Sequence, residues 1–144
     1  MKKQGKISVT AENIFPIIRQ WLYSSQDIFL REIISNAADA ITKRQHLENI
    51  GEIEKIEDES EIIVTLNKKN HTLTVSDNGI GMSAEEVDKY INQLAYSGLV
   101  DFVEKYKDEN DAQIIGHFGL GFYSSFMIAD KVEIDSKSRF KDKE

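Results

Sequence analysis

No cysteine occurs in the 144 residues, which excludes a disulfide framework and a thiolate zinc site. No apolar run approaches the roughly 20 residues of a membrane span, and the basic start MKKQGKISVT lacks the apolar stretch of a secretory signal. A cytoplasmic protein is therefore expected, and the Asn70-His71-Thr72 sequon is read as chance. Positive charge is also short: 18 Lys and Arg stand against 25 Asp and Glu, a net charge of −7. That balance argues against a nucleic-acid backbone as partner, and an anionic ligand would need local help from backbone N–H groups or a metal. The three histidines, His46, His71 and His117, have no metal-ligand spacing. No Ser/His/Asp arrangement has a recognisable nucleophile context, and neither an internal repeat nor an interdomain linker is present.

What is there suits one soluble globular domain over residues 1–144, with 40% hydrophobic and 30% charged residues. KISV at 6–9 alternates like an edge strand. From Ala11 to Tyr23 the residues Ile14, Phe15, Ile17, Ile18, Trp21 and Leu22 recur at helical spacing, with Pro16 tolerable only near the first turn. Ser24 and Asp27 have capping-box spacing, predicting a second helix that runs to about Leu47. On it Leu30, Ile33, Ile34, Ala37 and Ile41 gather on one side, while Glu32, Asn36 and Asp39 line the other among the small residues Ala37, Ala38 and Ala40.

Residues 48–60 read as an acidic linking segment. EIIVTLN and HTLTVSD, separated by Lys68-Lys69, alternate with period two and predict an antiparallel hairpin. Ser83 suits the N-cap of a helix extending towards Leu94, with Glu85 and Glu86 in its first turn. Residues 97–112 are mostly polar and suit a mobile cover. GHFGLGFYSSFMIAD is a glycine-rich turn leading into an apolar helix, and KVEIDS reads as a further strand.

Three segments could carry chemistry. In DNGIGM, 77–82, a carboxylate at a strand end is followed by Gly79 and Gly81, whose missing Cβ atoms would let a flat ligand approach the backbone. Asp77 could accept a hydrogen bond from an exocyclic amine; the same residues read equally as an Asx-type turn joining strand to helix. GHFGLGF, 116–122, is Gly-x-x-Gly-x-Gly ahead of a helix, neither a Rossmann fingerprint nor a Walker loop. Its backbone N–H groups and the helix dipole could cradle phosphates, or its glycines could form a hinge. On REIISNAADA, 31–40, the Asn36 carboxamide oxygen is a hard donor suited to Mg²⁺, and Glu32 one turn earlier could orient or deprotonate a water. Asp39 lies on the same face and could hold the site through water, although solvated helix faces commonly carry such pairs.

The order of these three motifs resembles the ATP-binding domain shared by type II topoisomerases, heat-shock protein 90 chaperones, histidine kinases and mismatch-repair ATPases. YSSQDIFLREIISNAADA and IGHFGLGFYSSFMIADKV resemble the heat-shock protein 90 family specifically, in its bacterial form, and the likeness covers nearly the whole chain. It implies an α+β fold of the Bergerat type, a two-layer sandwich whose mainly antiparallel sheet is covered by helices on one face. It implies ATP or ADP with Mg²⁺ as ligands, and an ATPase that drives conformational cycling of a chaperone on client proteins. Glu32 would then position the attacking water and Asn36 would bind Mg²⁺, with Asp39 in the nucleotide site. Asp77 would accept the adenine amine, Gly81 would give room and Met82 would pack on the ring. Gly116, Gly119, Gly121 and the N–H groups around Phe122 would hold the phosphates, with Ser97 and Gly98 at the start of an ATP lid over about 97–115.

Two departures from the family pattern stand out. Ala95-Tyr96-Ser97-Gly98-Leu99 replaces the frequent Ala-Lys-Ser-Gly-Thr, so a lysine and a threonine near the phosphates are missing. The family's nucleotide domain also continues beyond the position of Glu144, and its chaperones add an arginine-bearing middle domain and a dimerisation domain. This chain is therefore read as a fragment that ends inside its own sheet, with weak hydrolysis or none alone, and homodimeric and client-binding only in the full-length protein. The alternatives are a non-catalytic interaction module with a degenerate nucleotide pocket, or another ATPase or kinase of the same superfamily. A histidine kinase would need a phosphoacceptor helix pair that nothing before residue 24 supplies.

Overall fold

The computed structural model describes residues 2, 4, 28–89, 125 and 128–140. The strand expected at 6–9, the helix expected from Ala11 to Tyr23, the Ser24 cap and the lid lie outside these residues. The chain divides into two compact units, Met1–Glu32 with Ala84–Ile134, and Ile33–Ser83 with Asp135–Glu144. The described elements are helical and antiparallel, giving an α+β architecture.

Helix α1 spans Ile28–Asn49. Its sequence contains neither glycine nor proline and is rich in Ala, Leu, Arg, Glu and Gln, residues that lose little on entering a helix. Ala37, Ile41 and Arg44, spaced by four and three, are at most 9% exposed and form the buried stripe. Leu30, Ile33 and Ile34, expected on this side, are half-buried. The helix runs two residues beyond Leu47 and closes on Gly51, whose φ of 78° is left-handed. The Gly51 N–H donates to the Glu48 carbonyl (3.2 Å) and the Glu52 N–H to the Leu47 carbonyl (2.9 Å), the paired bonds of a Schellman cap.

The linking segment folds back onto this end of α1. Arg44, 2% exposed, donates from Nη1 to Glu48 Oε1 (2.8 Å) and from Nη2 to Ser60 Oγ (2.6 Å). Gln45 Nε2 donates to the same hydroxyl (2.9 Å), and the Ile56 N–H donates to Glu48 Oε1 (3.2 Å). Burial pushes the Glu48 carboxyl up, but the hydrogen bonds from Arg44 and Ile56 and the charges of Arg44 and Arg139 outweigh it, leaving its pKa lowered. Ile53 is buried within the same segment.

Strands β1 (Ile62–Asn67) and β2 (Thr72–Asp77) pair antiparallel, from Ile62 opposite Asp77 to Asn67 opposite Thr72. Period-two alternation puts Ile62, Val64 and Leu66 on one face, with Leu73 and Val75 opposite Leu66 and Val64. Leu66 is nonetheless 65% exposed, and Val64 and Leu73 are exposed as well. Residues 68–71 form the tip, where the Asn70 N–H donates to Asn67 Oδ1 (3.1 Å) and His71 takes a φ of 52°.

Helix α2, Ala84–Lys89, follows the buried Ser83, with Glu85 and Glu86 in its first turn and Lys89 in its last, charges that suit its dipole. Residues expected to continue it towards Leu94 lie outside the described set. Within the apolar helix expected after the glycine-rich turn, Ser125 and Ile128 are helical, and the Ala129 N–H donates to the Ser125 carbonyl (3.1 Å).

KVEIDS corrects the sequence reading, because residues 131–136 form no strand. In the first unit, Lys131 and Glu133 form an exposed ion pair with each other. In the second, Ser136 accepts a hydrogen bond from, and Arg139 donates to, an irregular turn rather than a ladder. Alternation prepares a segment for a sheet; only a neighbour in register makes it a strand.

Candidate functional site

Several backbone groups of the turn after β2 are held by other segments. The Gly79 N–H donates to Asp77 Oδ1 (2.8 Å), so the Asx turn is formed. The Ile80 N–H donates to the Ala40 carbonyl in the middle of α1 (3.0 Å). The Met82 N–H donates to Ser136 Oγ (2.9 Å). In the opposite direction, Arg139 donates from its backbone N–H to the Ile80 carbonyl (3.0 Å) and from Nε to the Gly79 carbonyl (2.8 Å). Its Nη2 stands 3.5 Å from the Asn78 carbonyl. Asn78 stitches the turn to the linking segment, donating from Nδ2 to the Glu59 carbonyl (2.7 Å) and accepting the Glu61 N–H at Oδ1 (3.0 Å).

Both glycines are required by close approach. A Cβ on Gly79 would stand 2.6 Å from the carbonyl carbon and from the Cβ of Ala40, so this glycine lies against the helix backbone. A Cβ on Gly81, whose φ is 69°, would collide with the Lys137 carbonyl. The space freed by the missing side chains is thus occupied by the protein itself at these two points. Ile80 between them is buried. The small residue Ala40 on α1 receives this turn, while Ala37 belongs to the core.

Asp77 is exposed at the end of β2, and a carboxylate with one oxygen engaged by an N–H retains further acceptor capacity. Met82 and Gly81 are half-buried. On α1, Asn36 and Asp39 are exposed, and Asp39 directly precedes the residue whose carbonyl holds the turn. Glu32, one helical turn before Asn36, is half-buried. Burial raises its pKa, and the charge of neighbouring Arg31 draws it only part of the way back. Ser97, Gly98, Gly116, Gly119, Gly121 and Phe122 lie outside the described residues.

Within the second unit the structure therefore joins the helix bearing Asn36 and Asp39 to the turn bearing Asp77 and Met82. Sequence reasoning missed Asn78, Ser136 and Arg139. Asn78 sat within a recognised motif as an ordinary turn residue, and the other two act over more than fifty residues of separation with no local signature. Among the described residues no group of three His, Cys, Asp or Glu side chains could hold a metal, and no helix is long and apolar enough to cross a membrane. A single exposed carboxamide fits Mg²⁺, which keeps water and phosphate oxygens for most of its six positions.

The sequence pattern of the histidine kinase-, DNA gyrase B-, and HSP90-like ATPases matches residues 23–143, and the chain belongs to this family. Within it, the chain is similar to bacterial chaperone proteins HtpG. The chain is 58% identical to the chaperone protein HtpG of Bacteroides thetaiotaomicron over 136 residues, covering 94% of this chain and 20% of that relative. It is 51% identical to HtpG of Porphyromonas gingivalis over 138 residues, with 96% and 20% covered. Against HtpG of Polaromonas naphthalenivorans the identity is 44% over 143 residues, with 95% and 22% covered. The chain spans about a fifth of the length of these relatives.

Proposed function

We propose that this chain is the nucleotide-binding part of an ATP-dependent chaperone and binds Mg-ATP or Mg-ADP. The observation that carries the reading is the Ile80 to Ala40 hydrogen bond. It ties together two segments that matter separately in the family pattern, the helix of Asn36 and Asp39 and the strand end of Asp77.

In this scheme Asp77 accepts the adenine amine while Met82 packs on the base. Asn36 supplies a carboxamide oxygen to the Mg²⁺ that accompanies the phosphates, and Asp39 holds water beside it. When bound, Mg²⁺ neutralises phosphate charge, which is most of what such a transfer requires besides positioning. Gly116, Gly119, Gly121 and the N–H groups around Phe122 would face the phosphates, and Ser97 and Gly98 would open the lid. Glu32 orients the attacking water; its raised pKa makes it a better proton acceptor than an ordinary carboxylate once it is ionised. Hydrolysis by these residues alone is slow, and cytoplasmic client handling as a homodimer belongs to the protein at the length of its relatives.

Titration calorimetry with Mg-ATP and Mg-ADP tests the reading, with saturable binding expected and Asp77→Asn removing most of it. Absence of binding, together with no effect of Asp77→Asn, overturns it. In the protein at its relatives' length, Glu32→Ala is expected to abolish turnover while nucleotide still binds; unchanged turnover would remove Glu32 from its role.

A further inference from the structure

We propose that Arg139 is a positioning residue for adenine selection, setting the direction of the Asp77 carboxylate through the peptide that follows Asn78; this rests on the nucleotide reading above. The coupling follows from which groups share a peptide plane. The unit between Asn78 and Gly79 turns its carbonyl towards Arg139 Nη2 and its N–H onto Asp77 Oδ1. The next unit gives its carbonyl to Arg139 Nε and its N–H to the Ala40 carbonyl. The third gives its carbonyl to the Arg139 backbone N–H. Three consecutive planar units are therefore fixed by one residue, and the first of them holds an oxygen of the carboxylate.

A planar guanidinium is suited to this task because its N–H groups leave in fixed directions and reach two carbonyls at once. Lysine at 139 could charge the same spot but would meet one carbonyl without fixing the neighbouring plane. With the Arg139 side chain removed, the Asn78 and Gly79 carbonyls lose its guanidinium, the Asn78–Gly79 peptide tilts more readily, and Oδ1 of Asp77 moves with its N–H partner. The loss is directional rather than general. A ligand group that hydrogen-bonds to Asp77 is affected, and groups bound elsewhere are not.

The distinguishing measurement compares Mg-ATP with Mg-purine riboside 5′-triphosphate, the same base without its exocyclic amine, by titration calorimetry on the 144-residue chain. Arg139→Ala is expected to weaken ATP by about tenfold, the scale of one hydrogen bond to a charged group, and to weaken the amine-free nucleotide by less than about twofold. Arg139→Lys, which keeps charge and bulk, gives an intermediate loss of selectivity and covers the case in which the alanine variant does not fold. In an Asp77→Asn background, Arg139→Ala adds nothing. Hydrogen exchange at the Gly79 and Ile80 amides is expected to accelerate in both Arg139 variants.

Equal weakening of both nucleotides, or selectivity retained by the folded Arg139→Lys chain with slow exchange at Gly79, overturns the proposal while leaving the nucleotide reading intact. If the unsubstituted chain binds neither nucleotide, the nucleotide reading falls, and this one with it.

Discussion

Helix α1 carries two glutamates whose carboxyls move in opposite directions. Glu32 is desolvated, the charge of adjacent Arg31 offsets part of that cost, and its pKa stands raised. Glu48 is also desolvated, but Arg44, the Ile56 N–H and the charge of Arg139 more than compensate, and its pKa falls. An acid whose partners outweigh its burial becomes a structural tie, whereas one whose burial prevails keeps a raised proton affinity. The helix is thus tied down at its C-terminal end, and in the proposed function its N-terminal end carries the residue that orients water. Ala40, where the turn attaches, lies between the two.

The largest expected effect comes from breaking that attachment. Gly79→Ala places a Cβ against the Ala40 backbone, which cannot step aside as a flexible side chain would, and is expected to cost about 3 kcal/mol of stability in urea unfolding. A variant as stable as the parent would mean that the turn is not wedged on the helix.

Arg44→Ala comes next. It leaves Glu48 without its charged partner and Ser60 held by Gln45 alone among the bonds described, so the melting temperature is expected to fall by roughly 10 °C. The double change Arg44→Met with Glu48→Leu should recover much of that loss, since the cost lies in the orphaned charge rather than in the missing pair.

At the other end of the helix, Asn36→Ala should change unfolding stability by no more than about 0.5 kcal/mol because the residue is exposed. Its signature is instead a loss of Mg²⁺-dependent nucleotide affinity. A large stability change with unaltered affinity would reverse the assignment of the two ends.

The smallest effects are in pH dependence and have opposite signs. Stability from Glu48 is fully present above the ordinary carboxylate range and is lost as pH falls through its lowered pKa. Stability linked to Glu32 is present at acid pH and is lost as pH rises through its raised pKa. Stability profiles of Glu48→Gln and Glu32→Gln should each lose one of these slopes. The same slope lost in both would erase the contrast between the two ends.

How much of this was legible in the chain depended on range. The helix of REIISNAADA, the hairpin and the Ser83 start of α2 were readable because period, capping and turn residues act within a few positions. Gly51 was readable too, as a glycine just past the last helical turn, though it was taken for part of a linker. The strand expected at KVEIDS failed because alternation is a statement about one segment and pairing is a statement about two. Arg44 lay in a stretch of polar residues, ITKRQHLE, with nothing local to mark it as the most buried of the described side chains. Glu48 one turn on, and the return of Ser60 sixteen residues on, give its guanidinium partners inside.

Asn78 followed by Gly79 is also the dipeptide most prone to spontaneous deamidation, in which the glycine nitrogen attacks the asparagine carboxamide and expels ammonia. Here the attacking nitrogen has its N–H turned onto Asp77, and the carboxamide is held on both sides by Glu59 and Glu61. Cyclisation would have to break all three bonds. The packing that aims the turn therefore also protects it from chemical ageing, and aspartate or isoaspartate accumulating at position 78 would record how often the turn opens.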